Sequence, residues 1–202
     1  SYVIVCHIQY LGLVYTNMKT YDGYHGTVSN YARKIETDGF TIKPSKPEDD
    51  HWLGHGIYFY EDYEDARYWA ESKSKKKQQT PVVYKATLEA NDEDIFDLDI
   101  KMNVIKLAEY EEEYSKFLKE MGIIIKGTDK QYRCTLLDSY KKEFAIMIIS
   151  YTFENRWSWT ENNTKSNVID IKFKKKQLCA TNSSVIKGMC KVFDSEESGG
   201  IV

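Results

Sequence analysis

Long apolar runs are missing from this chain, and no stretch approaches the roughly 18 residues that a membrane-crossing helix needs. Proline is scarce, with three residues among 202. No proline-rich linker divides the sequence, and one domain over 1–202 is expected. Cysteine is limited to Cys6, Cys134, Cys179 and Cys190, with no C-x-x-C pair. The cysteines fit idle thiols in a reducing compartment, and with no two ligands read as sharing a usual zinc spacing, no metal is expected. A formal net charge of −3 provides no whole-protein field demanding a nucleic-acid or membrane partner. The opening "SYVIVCHIQYLGLVY" lacks a basic leader and reads as a strand rather than a signal peptide, which makes a cytoplasmic location the expectation.

What is present is a globular composition, 42% hydrophobic and 29% charged, with 16 tyrosines. Residues 2–10 read as a strand. "VSNYARKIETDG" has apolar residues at 28, 31, 32 and 35, a helical spacing that stops at Gly39. Residues 41–55 hold two prolines and several acids and read as a loop. "GIYFY" is a short strand, and "EDYEDARYWAESKSKKK" begins with acids and ends with lysines, as the helix dipole favours. "PVVYKATLEA" and "DIFDLD" read as strands. "NVIKLAEYEEEYSKFLKEMG" and "TLLDSYKKEFAIMIISYTF" read as helices, giving a helical insertion over about 100–155. "NVIDIKF", "KQLCAT" and "VIKGMCKVF" complete a sheet. β-rich ends around a helical middle predict an α+β fold.

Three separated pieces carry chemistry together. His25-Gly26-Thr27 ends a predicted strand. "WLGHGIYF" (52–59) is a glycine-bracketed turn feeding a strand with Tyr58, and "ARYWA" (66–70) places Tyr68 on the following helix. A glycine backbone can approach and pair with a carboxamide. A histidine can hydrogen-bond a ribose hydroxyl, and two tyrosines can sandwich a flat ring. Each piece also has an ordinary structural use, as a turn, a packed tyrosine or a hairpin corner.

The run H-G-T, a short helix ending in I-x-x-x-G-F, then W-L-G-x-G-I-Y-F and A-x-Y-x-A resembles the NAD-dependent ADP-ribosyltransferases of the diphtheria-toxin-like, H-Y-E type. That group includes the poly(ADP-ribose) polymerases. The resemblance is specific from about residue 24 to 70. It implies a split, mixed and antiparallel β-sheet with NAD, used as substrate, in the cleft between its halves. It also implies that His25 holds the adenosine-side ribose, the Gly26 backbone holds the carboxamide, and Tyr58 and Tyr68 stack on nicotinamide. Thr27 matches the small hydroxyl residue that often follows this glycine.

The third residue of that pattern is an acid on a late strand. Here the late strand reads "FKKKQLCATNSSVI", and Gln177 is the match. A glutamine can bond a ribose hydroxyl but carries no charge to stabilise an oxocarbenium ion. Either Gln177 suffices for single transfer, or the acid is Glu143, Glu154 or Glu161, or the protein binds NAD without turnover. Lysines at 73–77 and 172–176, with the tryptophans of "NRWSWTENN" (155–163), make RNA or DNA a possible acceptor beside protein. The same lysines also suit a solvated helix end and an edge strand. The expected activity is mono-ADP-ribosyl transfer, and family analogy suggests a toxin or anti-phage effector, with an antitoxin as a candidate partner. The alternatives are a non-catalytic NAD or ADP-ribose binding module and an NAD-dependent RNA 2′-phosphotransferase. The latter would need arginines for the RNA phosphate, and only Arg33, Arg67, Arg133 and Arg156 are present.

Overall fold

In a computed structural model the described residues are 17–44, 46, 48–125, 127–155 and 173–195. The strand expected at 2–10, most of "NVIDIKF", Glu161, Lys172 and both tryptophans of "NRWSWTENN" lie outside them. The element order is β1 (Met18–Val28), α1 (Ser29–Asp38), β2 (Ile57–Tyr60), α2 (Tyr63–Lys77), β3 (Pro81–Asn91) and β4 (Ile95–Asp97). It continues with α3 (Lys101–Glu120), α4 (Asp129–Glu143), β5 (Ile148–Asn155), β6 (Phe173–Ala180) and β7 (Ile186–Asp194).

The strands form one mixed sheet in the order β4-β5-β6-β2-β1-β3-β7. Only β4 and β5 run parallel, and the other pairings are antiparallel. The α+β class is therefore as expected. The sheet has a weak seam. β1 and β3 stay in register from Met18↔Asn91 to Val28↔Pro81, whereas β1 and β2 share the single pair Tyr24↔Tyr60. Beyond that pair the sheet parts into β1-β3-β7 and β2-β6-β5-β4.

Local chemistry explains the helices near the seam. Asp62 caps α2 by accepting from Glu64 N–H at 2.7 Å, and acids in its first turn and lysines in its last complement the dipole. Thr128 and Gln131 form a capping box at the start of α4. Alternation along the strands divides the core by face. Ile57, Phe59, Tyr84 and Leu88 pack with Ala32, Ile35 and Phe40 around α1. Val83 packs with Ala66 and Ala70 of α2, and Ile149, Cys179 and Phe96 pack with Leu137 and Tyr140 of α4.

The helix expected through residue 153 ends at Glu143, so the helical region is shorter than 100–155. Ala145 takes a positive φ of 53°, and Ile148–Asn155 becomes β5, hydrogen-bonded between β4 and β6. The run "AIMIISYTF" begins with the apolar "AIMII", and periodicity cannot distinguish a buried strand from a buried helix in so short an apolar run. Its β-branched and aromatic residues and its two strand neighbours favour the strand.

Candidate functional site

The seam between β1 and β2 opens into a cleft of about 690 Å³, lined from both halves of the sheet by His25, Gly26, Thr27, Tyr58, Tyr60 and Gln177. That volume falls in the range of small-molecule sites. One wall begins with β1. Ser29 N–H donates to Thr80 O at 2.9 Å, so the odd-numbered residues of β1 pair with β3. By the same alternation the N–H and C=O of Gly26 face the seam. Gly26 has no room for a side chain, because a Cβ would overlap the Ala66 carbonyl oxygen and lie 3.2 Å from Ala70 N. Ala66 and Ala70 are fully buried, so α2 lies directly on the β1 backbone.

His25 bridges the seam. Its Nδ1 lies 2.8 Å from the Tyr58 carbonyl oxygen, and its ring packs edge-on against Phe40 and Phe59. Burial, against the pull of the Tyr58 hydrogen bond and with help from Lys73, pushes its pKa down to about 4. The ring is therefore neutral at physiological pH. With Nδ1 donating to a carbonyl, Nε2 is left as an acceptor, suited to a ribose hydroxyl.

The opposite wall is the turn before β2. Gly54 has φ of +73°, where a side chain would be strained. Tyr58 ties the turn down, as its hydroxyl donates to Gly54 O at 2.7 Å and accepts from Leu53 N–H at 2.8 Å. Burial raises the Tyr58 pKa far above that of a free phenol, so it offers a ring face and not a proton. From α4, the Lys141 ammonium, 6% exposed, donates to Leu53 O at 3.0 Å and His55 O at 2.8 Å. It also pairs with Asp138 at 2.8 Å, and Asp138 accepts from His55 N–H at 2.7 Å.

His55 is held at both ring nitrogens, Nδ1 by Asp138 and Nε2 by Asp49 at 2.7 Å. Burial lowers its pKa, but the two carboxylates outweigh burial and leave it above the ordinary histidine value. This network spans 83 residues of sequence, and the reading of the turn alone did not reach it. The pattern D-x-H-x-x-x-H over 49–55 was its visible trace.

Gln177 lies on the late strand β6 and lines the cleft. It pairs with Tyr60 of β2 and Tyr151 of β5. Burial, followed by the nearby Asp65, pushes Tyr60 up to about 12. Of the alternative acids, the two described, Glu143 and Glu154, do not line the cleft. Glu143, at the end of α4, accepts from Tyr110 O–H at 3.0 Å and lines a separate groove between α3 and α4. Glu154 is exposed on β5 opposite Lys174, one residue out of phase with Tyr151 and Phe153. Among the described residues the carboxylate lining the cleft is Asp50.

Tyr68 is not brought to the cleft, and Trp69 is. Ala66 and Ala70 fix the buried stripe of α2, so Trp69 and Lys73, four apart, share the cleft side. Tyr68 stands about 100° away on the helix, with Lys175 over its ring at 5.2 Å. At the mouth of the cleft Lys43 and Lys73 flank the Tyr31 ring at 4.9 and 4.8 Å, with Lys34 and Lys130 also lining it. Burial, then the neighbouring Lys43 and Lys77, lowers the Lys73 pKa.

Two lysines of the late run are held in ion pairs rather than standing open to a phosphate backbone. Lys175 pairs with Asp65 at 2.6 Å, and Lys176 with Asp97 at 2.9 Å and Asp99 at 3.1 Å. None of the described arginines lines the cleft. Arg67 pairs with Glu71, Arg133 lies 4.0 Å from the Trp52 ring centroid, and Arg33 is exposed on α1. No helix among the described residues is long and apolar enough to cross a membrane.

No family model matches the chain, and no solved structure matches it. The chain is similar to an uncharacterized protein of Methanocaldococcus jannaschii, 40% identical over 78 residues. The matched stretch covers 37% of this chain and 36% of that protein, so the chain spans about a third of its relative's length.

Proposed function

We propose that the seam is a dinucleotide site and that the protein transfers ADP-ribose from NAD to a macromolecular acceptor. The observation that carries this reading is the meeting of His25, the Gly26 backbone, Tyr58 and Gln177 at one opening, although they come from three strands. In this reading nicotinamide lies against the Tyr58 ring with its carboxamide on the Gly26 peptide, and Trp69 replaces Tyr68 as the second aromatic. The neutral His25 accepts from a ribose hydroxyl. The lysines around Tyr31 supply positive charge for the diphosphate.

Catalysis then rests on positioning. Nicotinamide leaves as its bond to the ribose carbon breaks, and the acceptor nucleophile forms the new bond to that carbon. Gln177 orients the ribose by hydrogen bonding, without a charge of its own. RNA, DNA and protein are all acceptors to be tried, and the ion pairs of Lys175 and Lys176 leave the cationic mouth as the stronger phosphate-steering surface.

That neutral glutamine favours a second reading, an NAD or ADP-ribose binding module without turnover. Incubation with NAD and separate pools of RNA, DNA and protein distinguishes the two through nicotinamide release. Release is expected with one pool and is lost in Tyr58→Ala and His25→Ala. NAD binding without release in any pool would leave only the binding module.

A further inference from the structure

Asp49, His51 and His55 offer one carboxylate oxygen and two imidazole nitrogens, all within 4.8 Å of one another. They sit in a seven-residue loop, and His51 and His55 line the cleft. We propose that these three residues bind a divalent first-row cation, with the remaining coordination position open toward the cleft. The expectation of no metal held that no two ligands share a usual zinc spacing, but His51 and His55 are separated by three residues, an H-x-x-x-H spacing that zinc sites use.

The donor chemistry suits such a cation. Two imidazoles and a carboxylate form a borderline nitrogen-oxygen set, preferred by zinc and its neighbours over calcium or magnesium. The surroundings suit it as well. Asp138 binds Nδ1 of His55 and is itself held by Lys141. A carboxylate on the far nitrogen fixes the tautomer that aims the Nε2 lone pair outward, the usual support of a metal-bound histidine. His55 Nε2 and Asp49 Oδ2 now share a proton across 2.7 Å. Two ligands at about 2.0–2.1 Å from a tetrahedral ion lie about 3.3 Å apart. The pair therefore has to open by only about half an ångström as the ion replaces the proton. Cys134 Sγ lies 3.8 Å from Nδ1, on the far side of the ring, and is not in the proposed set.

Metal binding and nucleotide turnover are separable, so the experiment reads the metal itself. The full chain, stripped with a chelator, is titrated with zinc against a competing chelator, and the loaded protein is examined by X-ray absorption. One zinc per chain with nitrogen and oxygen ligands alone is expected. His51→Ala and Asp49→Ala should each weaken binding at least tenfold. Asp138→Asn, which does not touch the ion, should weaken it roughly 10- to 100-fold. His51 is exposed, so His51→Ala should keep the wild-type urea midpoint and separate ligand loss from misfolding. No stoichiometric zinc, affinity unchanged in His51→Ala, or a sulfur ligand near 2.3 Å would each overturn the site.

Discussion

The two walls of the cleft are built from different materials. The β1 wall is steric: an 11-residue register with β3 positions Gly26, and two alanines let α2 rest on its backbone. The opposite wall is polar. There a six-residue span, Trp52–Ile57, is held by Lys141 and Asp138, more than 80 residues away on α4. The steric wall fails when an atom is added, whereas the polar wall, which also has no room at Gly54 and Gly56, fails as well when a charged group is removed.

The largest effect should come from adding atoms to the steric wall. Gly26→Val places carbons inside the Ala66 carbonyl, and backbone cannot swing aside as a side chain can. Overpacking of this kind should cost at least about 3 kcal/mol, read as a lowered urea midpoint. Gly26→Ala should share most of that loss, since the Cβ alone already overlaps. A nearly unchanged Gly26→Ala would show that the wall is not steric.

The polar wall should break under Lys141→Met. The Leu53 and His55 carbonyls would lose their donor, and Asp138 would lose its cation. Removing one member of a buried pair costs about 3 kcal/mol. Lys141→Met combined with Asp138→Leu should cost less than the sum of the single changes, because no uncompensated charge is left on Asp138. Additive losses in denaturation would mean that the two residues act independently.

This division also explains what could be read in advance. α1, β2, α2 and β3 were legible because caps, periodicity and glycines act within a few residues, and of β1 only its end at His25-Gly26-Thr27 was. So was the joint placement of His25, Gly26 and Tyr58, which depends on that same local order. Gln177 was picked out by the resemblance, as the match to an acid on a late strand, and it lines the cleft from β6. The end of α4 was not legible, since "AIMIISYTF" fits a strand or a helix until its neighbours are known. The clamp of Asp138 and Lys141 on the turn was hidden for a related reason. Two charged residues on an amphipathic helix give no sign of the carbonyls they will meet 80 residues back. Glu143 and Glu154 looked like candidate acids for want of the same tertiary information.

The smallest predicted effect concerns a phase error of one residue on α2. Reading "ARYWA" as a motif assigned the ring to Tyr68, but the helix turns about 100° per residue. The buried alanines at 66 and 70 set which side is inward, and that arrangement leaves Trp69 facing the cleft, 51% exposed. An aromatic contact with a bound ring contributes about 0.5–1.5 kcal/mol. Trp69→Ala should therefore weaken NAD binding up to about tenfold, and Tyr68→Ala less than about twofold, measured by calorimetry. Because both residues are surface-accessible, neither change should move the urea midpoint much, and the affinities can be compared directly. If Tyr68→Ala were the more damaging change, α2 would have to rotate when nucleotide binds, and the steric wall would not be rigid.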